Sequence, residues 1–158
     1  MQREMRRKDR LITAEEAYEI LDKCEYGVLG TVCPDGTPYA VPLSYAREDN
    51  VIYMHCATEG RKLENIAFRD QVCFTVVSAE DVELKPESFG TLFASVMVFG
   101  RVEVVESDED KIHGLEVLVK KWHNEYYEKG MKYIMAAKDK TVVLKLTIED
   151  ISGKARRK

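Results

Sequence analysis

The residues best placed to do chemistry lie in one run, His55-Cys56-Ala57-Thr58-Glu59-Gly60-Arg61-Lys62-Leu63. A β-prone segment ends there, a glycine follows, and two cations enter the first turn of a short helical pattern. Cations at that end oppose the helix dipole at a cost of about 0.3–1 kcal/mol each. An anion in front of the amides reverses the sign, because main-chain N–H groups, a guanidinium and an ammonium then converge on it. Phosphate is the group that such a turn would hold. The pattern is not a P-loop, since GxxxxGK[ST] is absent. The same residues also suit two solvated cations offset by Glu59 and Glu64, and the sequence leaves both readings open.

His55 is the candidate acid–base residue. Its reference pKa of about 6.5 suits proton transfer near neutrality. A structural imidazole bonded to a backbone carbonyl is the alternative. His55 and Cys56 are neighbours on a strand and point to opposite faces, so they are not a metal pair. His113 and His123 stand ten positions apart with no carboxylate at metal spacing, so no metal centre is expected. Cys24, Cys33, Cys56 and Cys73 are separated by 9, 23 and 17 positions. That is no zinc pattern, and four cysteines are too few for a disulfide scaffold. Reduced thiols in a cytoplasm are expected. No Ser-His-Asp or Cys-His-Asn order stands out, which leaves ordinary hydrolases without support.

These groups need a frame, and the periodicity supplies one. Thr13 with Glu16 forms a capping box, and Ala17, Tyr18, Leu21 and Cys24 share a helical face. Residues 26–32, 37–45 and 51–56 read as strands joined by Pro34-Asp35-Gly36 and Glu48-Asp49-Asn50, a three-stranded antiparallel meander. Pro42 cannot donate to a ladder and marks an edge or a bulge. A short helix follows over 61–68, then a strand over 71–78, a loop over 79–90 and a long strand over 92–105 bent at Gly100. Ser107 with Asp110 caps a helix whose Ile112, Leu115, Val119 and Trp122 share a face. Residues 123–139 read as helical with a break at Gly130, and 141–148 as a last strand. Six strands with helices between them predict a mainly β chain, a small antiparallel barrel with peripheral helices.

Composition agrees. The 158 residues form one domain, 45% apolar and 33% charged. No apolar run approaches the ~18 residues of a spanning helix, so no membrane segment is expected. The basic N-terminus is not followed by an apolar stretch of secretory type. The net charge of −4 is uneven. Residues 1–10 carry five basic and two acidic side chains, and 154–158 carry four basic ones. That leaves 15 basic and 26 acidic residues between 11 and 153, a net of −11. An acidic body with basic, solvated ends excludes a dedicated nucleic-acid surface.

Taken together, Tyr26-Gly-Val-Leu-Gly-Thr-Val32, Asp35 to Tyr45, Ile52-Tyr-Met-His-Cys-Ala57 and Gly60-Arg-Lys-Leu-Glu-Asn-Ile66 resemble the pyridoxamine 5′-phosphate oxidase-like flavin-binding proteins. Within them the chain looks most like the 5-nitroimidazole-resistance branch. Met5 to Arg10 and Ile151 to Arg156 share the likeness, which spans nearly the whole chain. The resemblance implies a six-stranded split barrel and a homodimer with two flavin sites at its interface. It also implies FMN, or occasionally FAD, held through its phosphate. Arg61 and Lys62 then meet the phosphate, Val41, Pro42, Leu43 and Ser44 line the ring, and His55 lies beside it. Ser95 and Met97 follow more loosely. Oxidase members carry an arginine near Val41-Pro42 and an Arg-x-His near the C-terminus; this chain has neither. The function so implied is a flavin-dependent oxidoreductase that acts on a nitroaromatic or quinone-like small molecule, with NADH or NADPH as reductant. A non-catalytic flavin carrier or sensor is the alternative, and a haem-binding split barrel the third.

Overall fold

The computed structural model describes residues 4–78 and 83–157. The chain enters through helix α1 (Ala14–Lys23), where the Thr13 hydroxyl accepts a hydrogen bond from the Glu16 N–H at 3.2 Å. The cap fixes the first turn, so Ala17, Ile20 and Leu21 fall on one face and are buried beneath the barrel. Replacing Thr13 with alanine is expected to lower stability by about 1 kcal/mol. A shifted urea midpoint with an unchanged slope checks this.

Eight strands follow. They are β1 (Tyr26–Val32), β2 (Pro38–Ser44), β3 (Ala46–Glu48), β4 (Val51–Cys56), β5 (Gln71–Val77), β6 (Glu83–Lys85), β7 (Gly90–Val104) and β8 (Val142–Arg156). All pairings are antiparallel, in the order β2-β1-β5-β7-β8-β4-β3, with β6 on β7. The sheet curls around Leu29, Phe74, Val96, Val98, Leu144 and Leu146, all fully buried. It does not close, because β2 and β3 remain edges. This is an antiparallel split barrel. Tyr45 bridges the edges: its ring meets Phe74 edge-on at 4.9 Å, and its buried hydroxyl donates to the Leu21 carbonyl. Burial pushes that phenol far above its usual pKa. Helix α2 (Arg61–Phe68) buries Asn65 and Ile66 against β1, where Asn65 Nδ2 donates to Thr31 Oγ1 at 2.9 Å. Helices α3 (Asp108–His123) and α4 (Tyr127–Ala137) pack outside β3, β4 and β8. A second core forms there around Tyr53, Val143, Leu115, Leu118 and Ile134. No helix among the described residues is long and apolar enough to cross a membrane.

The architecture corrects five expectations from periodicity. Among the described residues there are eight strands rather than six, since the three-residue β3 and β6 are too short to show a pattern. The meander over 26–56 does not form: β1 and β2 make a hairpin, but β4 pairs with β8, matching Met54 to Leu144. That partner lies ninety residues away and leaves no local trace. The helical break falls at 124–126 and not at Gly130, which α4 passes through. A Cβ on Gly130 would stand 2.8 Å from a Val119 methyl, so the glycine lets α4 lie against α3. The last strand runs on to Arg156, so part of the basic end is built into the barrel. Of the loop expected over 79–90, residues 83–85 are β6 and 86–88 a single 3-10 turn, while 79–82 lie outside the described residues. The bend at Gly100 is real, a register shift between β7 and β8 at Phe99/Gly100.

Candidate functional site

Beyond Cys56 the chain turns sharply at Gly60, which has φ 133° and ψ 162°, a conformation that side chains with a Cβ resist. Its carbonyl accepts from the Leu63 N–H at 2.9 Å and starts α2. The N–H groups of Arg61 and Lys62 have no acceptor among the described residues, as expected for a first helical turn. Neither side chain joins an ion pair among the described residues, and Glu59 and Glu64 do not engage them. The Arg61 guanidinium instead lies over the Tyr39 ring at 5.7 Å. Lys62 reaches the end of β4, close enough to bond the Cys56 thiol and to act on His55. Two main-chain N–H groups and two cations therefore share one turn, the donor types that an anion takes, and Arg61 also acts on the Asp35 carboxylate.

Burial first, and the nearby Lys62 ammonium second, hold the His55 pKa below the ordinary histidine value. By surface area His55 is an exposed residue at the end of β4. For the half-buried Cys56, burial raises the thiol pKa and Lys62 acts in the opposite direction.

Strand β2 supplies the other wall. Its partner β1 pairs Val28 with Pro42 and Tyr26 with Ser44, so Pro42 and Ser44 point outward while Val41 and Leu43 pack partly on the core. Of the four residues expected at a ring, two offer side chains outward and two offer only backbone. As an edge strand, β2 leaves one row of main-chain groups out of the ladder. Across the opening, β3 and β4 are paired up to Ala46↔Tyr53, and beyond that the chains part. Ser44 and His55 then stand on either side of the split and line one groove. Ser95 and Met97 are not brought to this place. They lie on β7 opposite Val77 and Thr75, three strands from Pro42, about 14 Å at the usual strand spacing. Tyr39 is a contact that sequence reasoning missed. It falls within the strand expected over 37–45, and no local signal places an arginine over it.

The fold is a split antiparallel barrel with a cationic turn, Gly60-Arg61-Lys62, at its open seam. Residues 13–155 match the sequence profile described as pyridoxamine 5′-phosphate oxidase, and the chain belongs to that family. The fold is shared with a candidate 5-nitroimidazole antibiotic resistance protein from Bacteroides thetaiotaomicron. That pair has a TM-score of 0.76 and 22% identity, over 92% of this chain and 86% of the other. A conserved hypothetical protein from Mycobacterium tuberculosis gives 0.79 and 18%, over 96% and 90%. An FAD-binding protein from Mesorhizobium loti gives 0.64 and 24%, over 94% and 98%. No curated protein matches the chain by sequence.

Proposed function

We propose that the chain binds a flavin, FMN first and FAD second, as a flavin-dependent oxidoreductase for nitroaromatic or quinone-like small molecules. The observation that carries this reading is the Gly60-Arg61-Lys62 turn at the seam of the barrel, with two cations outside any ion pair and two N–H groups without an acceptor among the described residues. The donor set fits a flavin phosphate. The free edge of β2 beside it fits the hydrogen-bonding rim of an isoalloxazine, and Pro42 and Ser44 give the ring an outward surface. When bound, the flavin supplies electron transfer to and from a small acceptor. The chain's own residues do the rest. Arg61 and Lys62 anchor, β2 orients, and His55 holds a proton at the mouth of the split. A family relative described as FAD-binding and another linked to nitroimidazole resistance support this reading.

A homodimer completes the proposal. The outer face of β1, β5 and β7 shows Val28, Val77 and Met97 to solvent. A second copy over that face would bury ~2,000 Å² or more, as in obligate dimers. Ser95 and Met97 then reach the partner's cofactor rather than their own. Free cysteines at 33, 56 and 73 suit a cytoplasmic setting. The test is an absorption spectrum of freshly purified protein, followed by anaerobic NADH or NADPH and a panel of acceptors. A flavin spectrum bleached by reductant and restored by a nitro compound is expected. Bound flavin without turnover would make the protein a carrier or sensor, and a Soret band would make it a haem protein. A stable monomer in light scattering at micromolar concentration would remove the dimer.

A further inference from the structure

The seam opens into a groove of about 790 Å³ between the barrel and the α3–α4 pair, a volume in the range of small-molecule sites. Three features set it apart from an incidental surface hollow. Its floor is apolar, with Leu115, Leu118 and Ile134 buried. Its rim is aromatic: Tyr26, Tyr126 and Tyr133 line it and are 62%, 63% and 74% exposed. It is also preformed. Trp122 is fixed by a hydrogen bond from its Nε1 to the Tyr45 carbonyl at 3.1 Å and by the Tyr26 ring at 5.9 Å. Tyr127 ties α4 to Glu116 of α3 at 2.7 Å.

Charge points the same way. In a protein of net −4, the ionisable side chains lining the groove are two lysines and two histidines beside the tyrosines, with no carboxylate. Lys138 is already paired with Asp108 and Asp139. Lys129 joins no ion pair among the described residues, so its charge is available to a ligand.

We propose that this groove binds a planar aromatic small molecule carrying a negative charge, stacked among the tyrosines and Trp122 with its anionic group toward Lys129. The proposal rests on the flavin reading for its role: the occupant is the electron acceptor, held beside His55 and Ser44. Flat apolar walls favour an aromatic body over a sugar or a peptide, and Lys129, with no carboxylate in the lining, favours an acid over a neutral isostere.

Trp122 is the only tryptophan in the chain and reports occupancy directly. The purified full chain, with whatever flavin it carries, is titrated with para-nitrobenzoate and with neutral para-nitrobenzamide, by Trp122 emission and by calorimetry. The anion is expected to bind about 3- to 10-fold more tightly. Lys129→Gln should remove that preference while leaving the amide's affinity unchanged. Tyr133→Ala should weaken both ligands about 5-fold or more, and visible flavin absorbance should stay as it was in both variants. Equal affinities for acid and amide, or no response to Lys129→Gln, overturn the charge assignment. Unchanged Trp122 emission at saturating probe, including the case of a second copy covering the groove, overturns the pocket. A preparation without flavin that still shows the full binding pattern supports the pocket and overturns the acceptor role.

Discussion

Replacing Arg61 and Lys62 together with alanine is expected to strip the proposed flavin from the protein. Each side chain loses a charge-assisted contact with a phosphate, about 1.5–3 kcal/mol. The pair therefore costs affinity about 10²- to 10⁴-fold. Lys62 is half-buried and Arg61 is exposed, so the single Lys62→Ala variant is expected to lose more than Arg61→Ala. Neither residue belongs to a core cluster, and the fold should survive with stability within about 0.5 kcal/mol. The measurement is the flavin-to-protein ratio after gel filtration, with a thermal melt on the same sample. An unchanged ratio in the double variant would show that the turn does not hold the phosphate.

The His55→Gln variant keeps its flavin and loses turnover by about 10²-fold, the usual size of a lost general acid. Glutamine preserves a hydrogen-bonding side chain and removes the titration. The pH profile separates a proton donor from a structural histidine. Because the folded pKa is depressed, the proton is held only in a window below the ordinary value of about 6.5. Turnover by the native protein should rise as pH falls through that window, and the variant should be flat. Stability runs the other way. The unfolded chain takes up the proton first, so any stability due to neutral His55 is present above about 6.5 and is lost as pH falls through the folded pKa. Turnover by the variant equal to native at every pH leaves His55 as a binding residue. A variant that loses flavin and stability together does the same.

The local parts of this molecule were legible in the sequence because their causes are local. Thr13 and Ser107 cap helices at the expected places, since a hydroxyl three residues ahead of an N–H is set by neighbouring residues alone. Alternation marked β2, β4 and the inward face of β8, because the period of two follows from the pleat, while β1 and β5 were legible as β-prone runs. Pro42 announced an edge strand for want of an N–H, and β2 is one. The Gly60-Arg61-Lys62 signal rested on the same kind of cause, a helix dipole set against two cations. What tertiary structure alone decided was which strands meet and what the seam contains. The pairing of β4 with β8, the short β6 on β7 and the extension of β8 to Arg156 depend on partners far along the chain. Periodicity carries no address for such partners. The same holds for the site. Val41 and Leu43 belong to the run that resembled a flavin-lining segment, yet register turns their side chains to the core and leaves Pro42 and Ser44 outward. Trp122 read as one more apolar position on a helix. Only the packing of α3 against the open edge, with Gly130 admitting α4 beside it, placed that ring across from His55 at the mouth of the barrel.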